Sequence, residues 1–244
     1  MDTLRRQKWR IAPPAPADFL IRMAPMHALA AQVLYNRTHG DPASLNQFLT
    51  PDLDASDPFA LQGVTQAVDV IRAAIADGKS AVVYGDYDLD GITAAAVLTE
   101  TLRGMGASVR SYIPSREDEG YGLNLEALKM LAGEGAGLLI TVDCGTRSVD
   151  EVALARRLGL DVVVTDHHQV GLVLPPANAL VNPKRSPVSD GSRDLAGVGV
   201  AFRLAQALIR ANQESPLATT EREVPEDSLL DLAALGTVGD LVPL

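Results

Sequence analysis

The sequence predicts an α/β fold, a parallel sheet flanked by helices, preceded by a helical amino-terminal arm. Two observations carry this. From residue 64 onward, short continuous apolar runs alternate with amphipathic stretches of helical period, the pattern of a sheet buried on both faces. The acidic and imidazole groups of that region gather just after the apolar runs, where strand gives way to helix.

Residues 1–63 form the arm. Met26–Arg37 has helical spacing behind Pro25, "NRTHGDPASLNQFL" reads as a turn and a short helix, and seven prolines between 13 and 58 punctuate the stretch. Residues 64–244 form the main domain. Its first helix is "VTQAVDVIRAAIADG" (64–78), stopped by Gly78. "AVVY" (81–84) is a strand and "TAAAVLTETLRGMG" (93–106) a helix; "SVRSYI" (108–113) alternates as a strand and "NLEALKMLAGEG" (124–135) returns as a helix. "GLLITVD" (137–143), "SVDEVALARRLG" (148–159) and "DVVVTD" (161–166) continue as strand, helix, strand. Residues 174–197 read as a surface connection with one short apolar run. The helix "GVAFRLAQALIRAN" follows, then the polar insertion "QESPLATTEREVPED" without apolar period, then a last helix opening "SLLDLAALG".

The totals bound the function. The 244 residues suffice for a filled core. No apolar run approaches the roughly 18–20 residues of a membrane span, and the basic start lacks the apolar stretch of a secretory signal. One cysteine, Cys144, excludes an intrachain disulfide framework and fits a reducing, cytoplasmic setting. A net charge of −10 argues against a protein that coats nucleic acid. It does not argue against a nuclease whose carboxylates serve as metal ligands.

Asp86, Asp88 and Asp90 follow the strand 81–84 in "YGDYDLDG", Asp143 follows 137–142, and Asp166, His167 and His168 follow 162–165. These are the carboxyl ends of parallel strands, the rim where open α/β sheets bind ligands. A mixed carboxylate and imidazole set suits Mn²⁺ or Mg²⁺ better than a structural zinc. Clustered carboxylates repel one another, and two divalent cations would relieve that while activating water and polarising a phosphodiester. Taken singly, each piece has a plainer reading. An Asp-rich turn is common loop chemistry, and an Asp after a strand often caps the next helix. A calcium loop is excluded, since the twelfth position from Asp86 is Val97. Adjacent histidines at a strand end leave in different directions, so one can meet a metal while the other faces substrate.

"DHH" after an apolar strand, with "GDYDLDG" upstream and "TVDCG" between, resembles the DHH phosphoesterase superfamily. "YIPSREDEGYGLN", "LVNPKR", "LAGVGVAFRLA" and "AALGTVGDLVPL", with "KWRI", "FLTPDL" and "DPFAL" in the arm and "AVDVIRAAI" just after it, resemble its RecJ branch over nearly the whole chain. That branch comprises exonucleases that degrade single-stranded DNA from the 5′ end. The resemblance implies metal ligands at Asp88, Asp90, Asp143, His167 and Asp240, with two Mn²⁺ (or Mg²⁺) ions as cofactors, bridged by Asp143 or another central carboxylate. It implies His168 at the scissile phosphate or just behind the metals, and Asp86 and Asp166 orienting the ligands. The basic residues near these motifs are Arg116, Arg147, Lys184, Arg185 and Arg193. Arg116, Lys184 and Arg185 are candidates for substrate contact, and Tyr121 for stacking a base. It also implies DNA repair and recombination as the setting, single-stranded DNA, a single-strand-binding protein and a helicase as partners, and no membrane. Two departures stand out. Tyr84 occupies a position that holds histidine in some superfamily members. Relatives also carry a DHH-associated domain, often with an oligonucleotide-binding fold, beyond the point where this sequence ends. The expectation is therefore the catalytic domain alone. The rival expectations are a different DHH phosphoesterase, acting on pyrophosphate, short oligonucleotides or cyclic dinucleotides, and a scaffold relative without activity.

Overall fold

The computed structural model describes residues 10–50, 57–185 and 192–243. Parts of the resembling segments at 8–9, 51–53 and 244, and the middle of the expected surface connection at 186–191, lie outside the described residues. The chain divides into two compact units, Met1–Ala55 and Ser56–Leu244.

The first unit contains α1 (Ala17–Arg22), α2 (Ala28–Thr38) and α3 (Pro42–Leu49). Phe19, Ala15 and Ala31 form its small core, and the Phe19 ring meets Tyr35 edge-on at 5.1 Å. The caps follow the sequence: Asp41 accepts from the Ser44 N–H, with Pro42 in the first turn of α3.

The second unit opens with a short 3₁₀ turn, Pro58–Ala60, and α4 (Val64–Ala76). Five strands then form one sheet: β1 (Ser80–Tyr84), β2 (Val109–Tyr112), β3 (Ala136–Thr141), β4 (Asp161–Thr165) and β5 (Ala179–Val181). All pair in parallel, in the order β2-β1-β3-β4-β5. The short apolar run in the expected surface connection is thus an edge strand. Helices α5 (Leu89–Gly104), α6 (Leu125–Gly133), α7 (Val149–Arg157), α8 (Gly197–Glu214) and α9 (Leu230–Gly239) complete the unit.

The strands other than the edge strand β2 read as continuous apolar runs because both faces are covered. Val82, Tyr84, Leu139, Val162, Val164 and Leu180 pack with Leu128 and Leu131 of α6 and Val152 of α7. The alternate residues Ala81, Val83, Leu138, Ile140 and Val163 are equally buried on the opposite face, where α4, α5 and α8 contact the strands. Helix α5 begins at Leu89, four residues before the expected start. The Asp88 carboxylate accepts from the Gly91 N–H at 2.9 Å and nucleates the helix there. Asp90 consequently lies in the first helical turn, not on the loop.

The sheet order sets the site. From β1 the chain moves outward to β2, then returns to place β3 on the other side of β1. The switch point therefore lies between the carboxyl ends of β1 and β3, where such sheets leave a crevice.

Candidate metal centre

Asp86 and Asp88 leave β1 at this crevice, Asp143 leaves β3, and His167 leaves β4. Asp90 and Asp240 arrive on helices. Asp90 is 1% exposed, and its two carboxylate oxygens accept from the Gly197 and Val198 N–H groups at 2.6 and 2.7 Å. The amino terminus of α8 thus clamps the carboxylate that opens α5. Burial raises the Asp90 pKa, while these two hydrogen bonds act against the rise.

Asp143 sits just past β3 with φ 58°, an uncommon conformation for a residue with a side chain. Its carboxylate is 2% exposed. Burial, then the neighbouring charges of Asp90 and Asp88, push it up to about 9. Gly197 makes room for it: a Cβ there would lie 2.6 Å from the Asp143 Oδ1. His167 Nε2 stands 3.1 Å from Asp143 Oδ1 and 3.7 Å from both Asp90 Oδ2 and Asp240 Oδ2.

Asp240 follows the last residue of α9 and comes near for a reason visible in "GTVGD". Helix α9 crosses α5 and α8 at its glycines. A Cβ on Gly236 would lie 2.3 Å from the Thr93 hydroxyl oxygen, and one on Gly239 would lie 2.6 Å from a Leu89 methyl. That close approach seats the acid, whose side chain keeps 26% exposure.

These donors fall into three overlapping groups: Asp86, Asp88 and Asp143; Asp90, His167 and Asp240; and Asp143, His167 and His168. Within each group the ligand atoms lie within 4.8 Å of one another. Asp143 and His167 each belong to two groups. The five residues expected as metal ligands therefore meet at one rim, and Asp86, expected to orient them, presents an oxygen to the same cluster. The state of its atoms fits a set that a cation could complete. Asp143 Oδ1 and both ring nitrogens of His167 are buried without a hydrogen-bond partner. Among the described residues no lysine or arginine forms an ion pair with the five aspartates of these groups. Orphaned donors and unbalanced buried carboxylates are costly unless a cation completes them. Oxygen with some imidazole nitrogen is the donor chemistry that suits Mn²⁺ or Mg²⁺.

Asp166 does a different job. Its Oδ1 accepts from the His167 and His168 N–H groups at 2.7 and 3.0 Å, and its Oδ2 from the Thr146 N–H at 2.9 Å. The His168 Nδ1 is 2.8 Å from the same Oδ1. Burial alone would raise this carboxyl, but the His168 ring and these N–H groups outweigh it and hold it at about 2. In return Asp166 raises the His168 pKa. His168 keeps 45% side-chain exposure at the edge of the cluster.

Of the expected substrate contacts, Arg116 and Tyr121 lie beside the site. Both ride on the loop after β2, which a buried network fixes. The Tyr84 hydroxyl donates to the Gly122 carbonyl at 3.0 Å and accepts from the Asn124 N–H at 3.3 Å. Tyr112 donates to Glu119, whose other oxygen accepts from the Ser115 N–H. Tyr84, at the position where some superfamily members have histidine, thus serves to hold this loop. The Arg116 guanidinium lies 5.2 Å from the centre of the Tyr87 ring, and the Tyr121 hydroxyl is 3.4 Å from the His168 ring nitrogens. Lys184 and Arg185 instead occupy the turn after β5. Arg185 donates to the Leu180 carbonyl, and burial lowers its pKa, so it braces that turn. Cys144 is a buried side chain whose thiol burial keeps neutral. Sequence reasoning missed the Gly197–Val198 clamp on Asp90; "AGVGVAF" contained it, but nothing in the string links it to a residue more than a hundred positions earlier.

Fold and site together define a parallel α/β domain with a carboxylate and histidine donor cluster at the carboxyl edge of its sheet. The chain belongs to the DHH family: residues 80–237 match the model described as DHH family, N-terminal domain. It is 41% identical over 242 residues to the single-stranded-DNA-specific exonuclease RecJ of Bacillus subtilis (strain 168), covering 98% of this chain and 29% of that protein. With the protein of the same description from Dickeya dadantii (strain 3937) it shares 48% identity over 188 residues, 75% of this chain and 32% of the relative. The chain thus spans about a third of the length of these relatives. Among solved structures it is similar to RecJ of Thermus thermophilus in complex with Mn²⁺, at TM-score 0.71 and 30% identity over 97% of this chain and 32% of that one. It is also similar to an exonuclease RecJ bound to manganese, at TM-score 0.66 and 37% identity over 75% of this chain and 44% of the other.

Proposed function

We propose that residues 64–244 form the catalytic domain of a single-strand-specific DNA exonuclease, a metal-dependent phosphodiesterase that works from the 5′ end. The observation that carries this is the cluster of Asp143 and His167 atoms, buried and unpartnered, at the switch point of the sheet. The family match and the relatives named above support the substrate class.

Asp88, Asp90, Asp143, His167 and Asp240 would hold two divalent ions, Mn²⁺ or Mg²⁺, with Asp86 beside them. Such ions supply Lewis acidity toward a phosphoryl oxygen and lower the pKa of bound water. The protein's own contributions follow from the geometry. The α8 amino terminus fixes both oxygens of Asp90, so that carboxylate cannot rotate away. Gly197 leaves Asp143 room beside it. Asp166 holds the His168 ring and favours its protonated form, so His168 Nε2 can donate to a phosphoryl oxygen and steady the charge that grows there. Arg116 and Tyr121 offer a cation and an aromatic face to a flexible strand. Such an activity calls for a helicase to expose single strands and a single-strand-binding protein to keep them open, and it is at home in repair and recombination of cytoplasmic DNA.

The test is a substrate panel with Mn²⁺: a 5′-labelled single-stranded oligonucleotide, a duplex, pyrophosphate and a cyclic dinucleotide. Release of labelled mononucleotide from the single strand alone is expected. Turnover of pyrophosphate or the cyclic dinucleotide instead would replace this reading with that of a different phosphoesterase.

A further inference from the structure

Beside His168 the surface opens into a cleft of about 420 Å³. That lies within the roughly 300–1,000 Å³ that small organic ligands occupy. The cleft is lined by Tyr121, by Arg147 and Ser148 on the turn from β3 into α7, and by Glu151 one turn further along α7. Asp166 and His168 also line it. Since His168 Nδ1 is also 3.9 Å from Asp143 Oδ1, a group resting in the cleft is one side chain away from the donor cluster.

The lining has a definite chemistry. Tyr121 is 58% exposed although it is a large aromatic residue on a loop pinned at several points. Its face is therefore held out to solvent by the fold. Arg147 is exposed, and among the described residues nothing hydrogen-bonds or pairs with its guanidinium. Among the described residues it is the one permanent cation on the lining. Asp166 has its charge consumed by the hydrogen bonds described above, whereas Glu151 keeps the cleft from being uniformly positive. An aromatic ring and a single guanidinium on one lining, with a carboxylate nearby, fit one planar base and one phosphate better than a polyanion.

We infer that this cleft is a subsite for one nucleotide of a single-stranded DNA substrate, with Arg147 on its phosphate and Tyr121 against its base. The inference rests on the phosphodiesterase reading above and adds Arg147 to the groups that read the strand. Arg147 makes no side-chain bond or ion pair among the described residues, so its replacement leaves the fold intact.

The experiment measures kcat and KM of the wild type, Arg147→Ala and Arg147→Lys on a dT oligonucleotide with Mn²⁺, across a range of salt concentrations. Loss of one charge-assisted hydrogen bond should raise the KM of Arg147→Ala about tenfold or more with kcat little changed. The plot of log(1/KM) against log[salt] should become shallower by about 0.7, the signature of one lost phosphate contact on a single strand. Arg147→Lys should keep the wild-type slope. Wild-type KM and slope in Arg147→Ala overturn the inference, as does a raised KM with an unaltered slope, which marks a structural effect. A wild type that binds Mn²⁺ yet leaves the oligonucleotide intact refutes the phosphodiesterase reading itself, and the inference with it.

Discussion

Replacing Gly197 with alanine adds a methyl group at the one place where two ligand carboxylates are held together. The new Cβ would lie 2.6 Å from the Asp143 Cβ and Oδ1 and 2.8 Å from its Cγ. Comfortable carbon contacts are about 3.5–4.0 Å, so Asp143 or the start of α8 must move by roughly 1 Å. Asp143 has little freedom, since its backbone already sits at φ 58°. If α8 moves instead, it carries the Gly197 and Val198 N–H groups with it and Asp90 loses its clamp. Either way the two carboxylates part. Overpacking of this kind costs about 1–3 kcal/mol of stability, whereas a displacement of about 1 Å in a catalytic group costs on the order of 10²-fold in rate. The expected outcome is a folded protein with modestly lowered thermal stability, weakened Mn²⁺ binding and kcat/KM reduced about 10²-fold. Gly133→Ala is the control: it lies in a helix with nothing within 4 Å of the added methyl, and it should be neutral or slightly stabilising. Wild-type turnover and metal affinity in Gly197→Ala would refute the argument that this contact sets the ligand geometry.

Tyr84→Phe removes the hydroxyl that ties Gly122 and Asn124. It should cost about 1–3 kcal/mol in urea unfolding and raise KM more than it lowers kcat, because Tyr121 loses its anchor. Asp166→Asn should lower the His168 pKa, since the Asp166 carboxylate is the chief cause of its rise above 6.5; an NMR titration of His168 that is unchanged in the variant counts against this. The raised Asp143 pKa has a pH consequence whose sign is opposite to that of an ordinary paired carboxylate. Its folded value lies above the unfolded one, so ionising Asp143 destabilises the metal-free protein, which loses stability as pH rises from the ordinary carboxylate range toward about 9. Metal needs the ionised form, so Mn²⁺ affinity should rise across the same interval with release of a proton. Thermal unfolding in EDTA and in Mn²⁺ should diverge as pH rises, and parallel curves would contradict it.

Much of this was legible in the sequence, for physical reasons that name particular residues. Apolar runs such as Val162–Val164 announce a strand buried on both faces, and polar residues at their ends announce the rim. Asp86, Asp88, Asp143 and His167 could therefore be placed together before any coordinates. Asp240 could not, because it reaches the rim through the close crossing of α9 on α5 at Gly236 and Gly239. It entered through family resemblance. The polar insertion offers no apolar period, yet it packs. The Glu221 and Arg222 N–H groups donate to the Gly104 carbonyl, and Val224 fills the space beside Gly104. Backbone hydrogen bonds, the buried Val224 and polar side-chain contacts such as Thr219 to the Met105 carbonyl and Arg222 to Glu100 hold it, and none of these leaves a periodic trace. The bond from Arg185 to the Leu180 carbonyl was invisible for a related reason: a basic residue near a motif looks the same in sequence whether or not it meets a carbonyl of its own chain.

The most direct test of the metal centre is anomalous diffraction at the manganese edge from crystals grown with Mn²⁺. Two peaks are expected at the carboxyl edge of the sheet, both within bonding distance of an Asp143 oxygen, with His167 Nε2 on one of them. Saturating Mn²⁺ with no peak at this rim, or peaks at surface carboxylates elsewhere, would contradict it.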